Sequence, residues 1–339
     1  MVKRLFMLAI AITMGDIFML IPGKVSSRTI SQPTAEIVRL DPRFDELVPK
    51  EATLEKLADG FSWIEGPVWN RAGKFLLFSD VPNNSIFKWN GNDTELFLKP
   101  SGYTGSEPFT GREPGSNGLT FDQQGRLVFC QHGNRAISRL EKDGNRTLLV
   151  DRYEGKRLNS PNDVIIKSNG DIYFTDPPFG LPKSFEDPGR ELDFCGVYRR
   201  NKEGEVTLLT KEVVAPNGIA FTADEKTLYV SDSKRLLWLA YDVNADGTLG
   251  KSRVLYDASQ FRNSKPGVAD GLKVDMHGNI FGAGPGGLYV IAPDGKLLGR
   301  FDLGVATGNS AWGEDGSTLF IAGNTALYRI RLNTKGAGF

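Results

Sequence analysis

One short phrase recurs six times along this chain, and it restricts the fold more than any other feature. In its fullest form it is Ala215-Pro216-Asn217-Gly218-Ile219-Ala220-Phe221, a charged turn, and then Thr227–Asp232. A polar residue and a glycine lead into an apolar run, a turn reverses the chain, and a second apolar run ends in Ser-Asp. Short apolar runs on either side of a polar turn form a β-hairpin. Matching copies open at Glu65-Gly66, Asn117-Gly118, Asn162-Asp163, Asp270-Gly271 and Gly308-Asn309. Further strand-like runs follow at Ser85–Trp89, Ala136–Leu140, Gly196–Arg200, 236–241, 287–292 and Ala326–Arg331. Four strands per unit, repeated every 40 to 55 residues or so, predict propeller blades. The expected fold is all-β: a six-bladed propeller of four-stranded antiparallel blades around a central channel.

A propeller must hide its first and last sheet edges. The run 52–58 precedes the first full blade and is expected to close the ring by pairing with Ala326–Arg331. The loops 100–116 and 177–193 interrupt the repeats next to the leading residues, as binding loops do. Residues 1–27 open with Lys3-Arg4 and an apolar run, a pattern for a signal peptide that Asp16 interrupts. The expected organisation is a leader or extension over 1–27 and one propeller domain over 28–339. A periplasmic or secreted location follows, the alternative being a cytoplasmic enzyme with an N-terminal extension. Lys and Arg number 41 and so do Asp and Glu, with no basic run. This balance weighs against nucleic acid as a partner, and no stable membrane insertion of the mature chain is expected. Cys130 and Cys195 fit no zinc spacing; buried thiols are the simpler expectation, and a single bridge between them is open.

The chemistry lies in the residues that lead each repeat. Any one Asn-Gly or Asp-Gly is an ordinary turn former. Five oxygen-bearing side chains in register (Glu65, Asn117, Asn162, Asn217 and Asp270) are not explained by turns, since equivalent blades aim them at one point on the axis. Two carboxylates among carboxamides, without His or Cys, suit a hard divalent cation. Calcium is expected ahead of magnesium, with manganese and zinc as alternatives. Without a cation, two converging carboxylates with no Lys or Arg in the slots would be electrostatically costly.

The same residues carry a resemblance. Glu65-Gly66-Pro67-Val68-Trp69, Leu158-Asn159-Ser160-Pro161-Asn162-Asp163-Val164, Tyr173-Phe174-Thr175-Asp176-Pro177-Pro178-Phe179-Gly180, Ala215-Pro216-Asn217-Gly218 and Ala269-Asp270-Gly271-Leu272 resemble the gluconolactonase/regucalcin-like family. The resemblance covers residues 50 to 335. It implies a six-bladed propeller with a divalent cation at the channel mouth, hydrolysing sugar lactones. It also implies Glu65, Asn217 and Asp270 as metal ligands, and Asn162 as a ligand or a substrate contact. Asn117, without a uniform counterpart, is a substrate contact or a neighbour of the ligands.

Lactone hydrolysis needs a polarised carbonyl and a water that loses its proton. Asp270 is the candidate base; direct attack by Asp270 to give an acyl-enzyme, or a role confined to holding water, is also open. His132 is a further candidate for substrate contact, whereas His277 lies in a turn. Asp80, Asp176 and Asp232 repeat at strand ends and are expected to make hydrogen bonds between blades. The run Asp242–Gly247 mimics a calcium loop but has Arg253 at its twelfth position, so a hairpin turn is expected. No Gly-x-Ser-x-Gly elbow is present. The alternatives to a lactonase are a related metal-dependent esterase or organophosphate hydrolase, and a non-catalytic propeller that binds a ligand or a protein.

Overall fold

The computed structural model describes residues 35–339; the expected leader lies outside the described residues. Six antiparallel blade sheets follow one another along the chain, five of four strands and one of five, with a small two-stranded hairpin besides, Arg152–Tyr153 with Lys156–Arg157. Their first strands are Ile64–Asn70, Ser116–Phe121, Val164–Ile166, Pro216–Phe221, Leu272–Val274 and Asn309–Gly313. Each of these touches the first strand of the blades before and after it, and the sixth touches the first, so they line a closed ring. The six-bladed propeller is therefore as the repeat predicts. Closure is also as expected: Glu55–Asp59 pairs antiparallel with Ala326–Arg331, so the last blade takes its outer strand from the N-terminal side. Among the described residues no helix is long and apolar enough to cross a membrane.

Alternation along the strands sends apolar residues from neighbouring blades into shared clusters. Tyr173 and Val197 of blade 3, for example, pack with Ile219, Val230 and Leu239 of blade 4. Between blades 4 and 5 the buried Trp238 ring lies 5.5 Å from that of Tyr289. Gly282 makes room for it, since a Cβ there would sit 2.5 Å from Trp238 Nε1. Truncating such an aromatic residue typically costs about 3–5 kcal/mol. One strand was not expected: Glu36–Arg39 pairs with Leu297–Asp302 and gives blade 5 a fifth strand that covers its outer edge. Cys130 and Cys195 are free, buried thiols, and no bridge joins them. Asp242 through Gly247 closes the hairpin between Leu237–Val243 and Leu249–Asp257, with Asn244 N donating to Thr248 O.

The Ser/Thr-Asp phrase divides its work, which corrects the expectation for the aspartates. Asp80 accepts from the backbone N–H groups of Ser62 and Trp63, Asp176 from Asn159 and Ser160, and Asp232 from Val214. Each carboxylate thus clamps the segment that enters the first strand of its own blade. The preceding hydroxyl makes the bond between blades. Ser79 Oγ donates to Asn117 O (2.9 Å), Thr175 Oγ1 to Asn217 O (2.7 Å) and Ser231 Oγ to Asp270 O (2.7 Å).

Candidate active site at the channel mouth

Those acceptors are the backbone carbonyls of the leading residues, so the same bonds set the height of the site. The remaining junctions continue the ring. Gly118 N donates to Asn162 O at 2.7 Å, and Gly271 N to Gly308 O at 2.8 Å. The sixth blade meets the first where Gly308 abuts Glu65; a Cβ on Gly308 would lie 2.5 Å from Glu65 Oε1. Bulges in the first two strands of blades 1, 2 and 4 fall at Glu65/Val68, Ser116/Leu119 and Pro216/Ile219. A bulge re-aims a side chain that regular pleating would send along the sheet. Here it falls beside the leading residue, with Gly66 at φ +52.

All five expected side chains, Glu65, Asn117, Asn162, Asn217 and Asp270, are buried and line one cavity of about 270 Å³. Glu65 Oε2 accepts from Gly66 N and Asp270 Oδ1 from Gly271 N, both at 3.1 Å. Asn217 Nδ2 donates to Ser233 Oγ at 3.1 Å. Asn117 Oδ1 is buried without a hydrogen-bond partner among the described residues. His132 does not line the cavity. It is fully buried behind it, with Nε2 3.4 Å from Asn162 Nδ2 and Nδ1 3.0 Å from Glu113 Oε2.

The electrostatics are those of an acidic pocket. Burial, reinforced by the charges of Asp163 and Glu113, pushes Glu65 up to about 8. Burial, then Glu65 and Glu113, holds Asp270 well above the usual carboxylate range, against hydrogen bonds from Asn217 and Gly271. Neither buried carboxylate is drawn down by a neighbouring positive charge, and each is raised by other acidic groups. An unpartnered amide oxygen and an all-oxygen donor set match a hard cation in this position.

Loops supply the rest of the wall. Glu113 comes from the loop before blade 2, Phe179 and Phe185 from the loop inside blade 3, and Val268 from the segment before blade 5. Lys234 also lines the cavity, its Nζ 4.9 Å from the Phe185 ring centre, so the wall is not devoid of cationic groups as the slots alone imply. Loop residues carry no period, and the sequence signals only that the loops are long.

Residues 63–325 match the family model described as the SMP-30/Gluconolactonase/LRE-like region. The chain belongs to this family. A gluconolactonase of Zymomonas mobilis subsp. mobilis is 38% identical over 314 residues, covering 89% of this chain and 87% of that protein. The pentonolactonase XacC of Haloferax volcanii is 27% identical, covering 70% of this chain and 73% of its own. Among solved structures, a gluconolactonase from Xanthomonas campestris superposes with a TM-score of 0.76 at 33% identity, covering 87% of this chain and 94% of that one.

Proposed function

We propose that this protein is a lactonase that opens a sugar lactone of the gluconolactone type, with one divalent cation, calcium foremost, at the channel mouth. The observation that carries the reading is the convergence of five oxygen-bearing side chains from five blades on one acidic cavity. The names of the relatives, gluconolactonase and pentonolactonase, supply the substrate class. Glu65, Asn162, Asn217 and Asp270 are the residues that would hold the cation, and Asn117 lies beside them. The chemistry such a cation supplies when bound is polarisation of the lactone carbonyl.

The chain's own groups do the remainder. Asp270 orients the attacking water and accepts its proton; a cation held by the same carboxylate would lower its pKa, so orienting the water is the larger part of its role. The water oxygen bonds to the carbonyl carbon, the ring C–O bond breaks, and the departing alkoxide takes up a proton to leave an open hydroxy acid. Asn117 and Asn162 offer amide groups to the lactone oxygens. Trp63, Phe179 and Phe185 form apolar walls that pack on the C–H faces of a sugar ring and exclude bulk water.

The test is a pH-stat assay over a panel of lactones on chelated protein, with calcium, magnesium, manganese or zinc added back. Hydrolysis of an aldonolactone restored by a divalent ion is expected. Failure of every metal to give turnover on any lactone would refute the reading.

A further inference from the structure

Every ring residue sits on or beside a first strand, but Glu113 does not. It comes from the long loop ahead of blade 2, and its carboxylate is still part of the cavity wall. The loop is pinned on the C-terminal side of Glu113: Tyr103 N donates to Pro114 O (2.6 Å), Gly115 N to Val81 O (3.0 Å), and His132 N to Gly115 O (3.0 Å). The side chain is about one-third exposed (33%), which makes it the wet edge of an otherwise buried acidic set. Among the described residues its carboxylate meets one protein partner, His132 Nδ1 at 3.0 Å. His132 is itself fully buried, and its other nitrogen faces the Asn162 amide. An amide N–H donating to Nε2 leaves the ring proton on Nδ1, on the side of Glu113. Nδ1 approaches Glu113 Oε2 at 3.0 Å without hydrogen-bond geometry, so among the described residues the Glu113 carboxylate has no hydrogen-bonded protein partner and is free to accept hydrogen bonds in the cavity.

We propose that Glu113 is the specificity-determining residue of this site, accepting hydrogen bonds from ring hydroxyls and thereby selecting polyhydroxylated lactones over plain ones. The inference rests on the lactonase reading and deepens it. Apolar walls of the kind formed by Trp63, Phe179 and Phe185 accept any lactone of fitting size and discriminate weakly. A partly desolvated carboxylate does discriminate. A sugar's neighbouring hydroxyls replace its lost water, whereas an unsubstituted ring leaves it without a partner, and unpaired polar groups are costly.

The experiment pairs turnover with binding, so that failure of the lactonase reading and failure of this inference give different results. Glucono-1,5-lactone and δ-valerolactone are compared as substrates for wild type, Glu113→Ala and Glu113→Gln. In parallel, calorimetry measures binding of calcium and of 1,5-anhydroglucitol, a pyranose polyol without a carbonyl that cannot be hydrolysed. Thermal unfolding checks that the variants fold. The expected result is that the wild-type preference for the hydroxylated lactone falls at least tenfold in Glu113→Ala, mainly through KM. The same variant is expected to bind 1,5-anhydroglucitol at least tenfold more weakly, with Glu113→Gln intermediate. Equal loss on both lactones, a loss confined to calcium affinity, or unchanged 1,5-anhydroglucitol binding would each overturn the proposal. Absence of turnover in wild type would refute the lactonase reading alone, and the polyol titration would still decide the role of Glu113.

Discussion

Gly308 is the one leading residue without a side-chain oxygen, and the ring geometry gives the reason. A Cβ on it would stand 2.5 Å from Glu65 Oε1, 2.8 Å from Glu65 Cδ and 2.9 Å from Ile64 O. Ordinary contact begins near 3.5 Å, so Gly308→Ala requires the Glu65 carboxylate to retreat by roughly 1 Å. Metal–ligand distances tolerate only about 0.2 Å, so a shift of this size takes an oxygen out of coordination. The fold is strained too, because Ile64 O is backbone and cannot swing aside as the Glu65 carboxylate can, although Gly308 has no positive φ. We expect about 1–3 kcal/mol of destabilisation, the usual range for overpacking. Displacing a group that fixes or forms the site typically costs about 10- to 100-fold in metal affinity. Calcium titration calorimetry and the pH-stat assay on Gly308→Ala should therefore show that loss in a protein that urea unfolding shows to be still folded under the assay conditions. Calcium affinity equal to wild type would refute the claim that Glu65 binds the cation at the sixth junction.

Asp270→Asn should lower lactone turnover by roughly 100- to 10,000-fold, the usual share of a general base, and full activity would remove Asp270 from the mechanism. The metal-free protein should lose stability as pH rises. Glu65 is pushed up to about 8 and Asp270 is raised as well, so between the ordinary carboxylate range and about pH 8 the folded state binds more protons than the unfolded one. Its Tm should fall from about pH 5 to about pH 8, and calcium should restore it at the upper end; a chelated protein of rising Tm would contradict the buried-carboxylate account. Ser231 Oγ accepts from Gly218 N at 2.8 Å and donates to Asp270 O at 2.7 Å. Ser231→Ala leaves both backbone groups unpaired and should cost about 1–3 kcal/mol in urea unfolding, against a null result if the bond between blades is dispensable.

The ring residues were legible because a propeller repeats its innermost hairpin. Glu65, Asn117, Asn162, Asn217 and Asp270 share a phase that the fold turns into a shared height. The closing strand was legible for a related reason: an unpaired edge must be covered, and 52–58 was the segment free to cover it. What escaped has no period. Glu36–Arg39 covers the edge of blade 5 from a short stretch with no neighbouring repeat. Glu113, Phe179, Phe185 and Lys234 enter the cavity from loops or strand ends, where only three-dimensional closure decides which side chain points inward. The Ser/Thr-Asp phrase was visible, but its division into a bond between blades and a clamp within one depends on side-chain direction that alternation alone does not give. His132 lay close to the site along the chain, yet it acts from behind Asn162.

A crystal structure of the calcium-loaded protein tests the central claim most directly. The account predicts one ion on the channel axis, with oxygens of Glu65, Asn162, Asn217 and Asp270 at about 2.3–2.6 Å. An ion bound elsewhere, or none at saturating calcium, would contradict it.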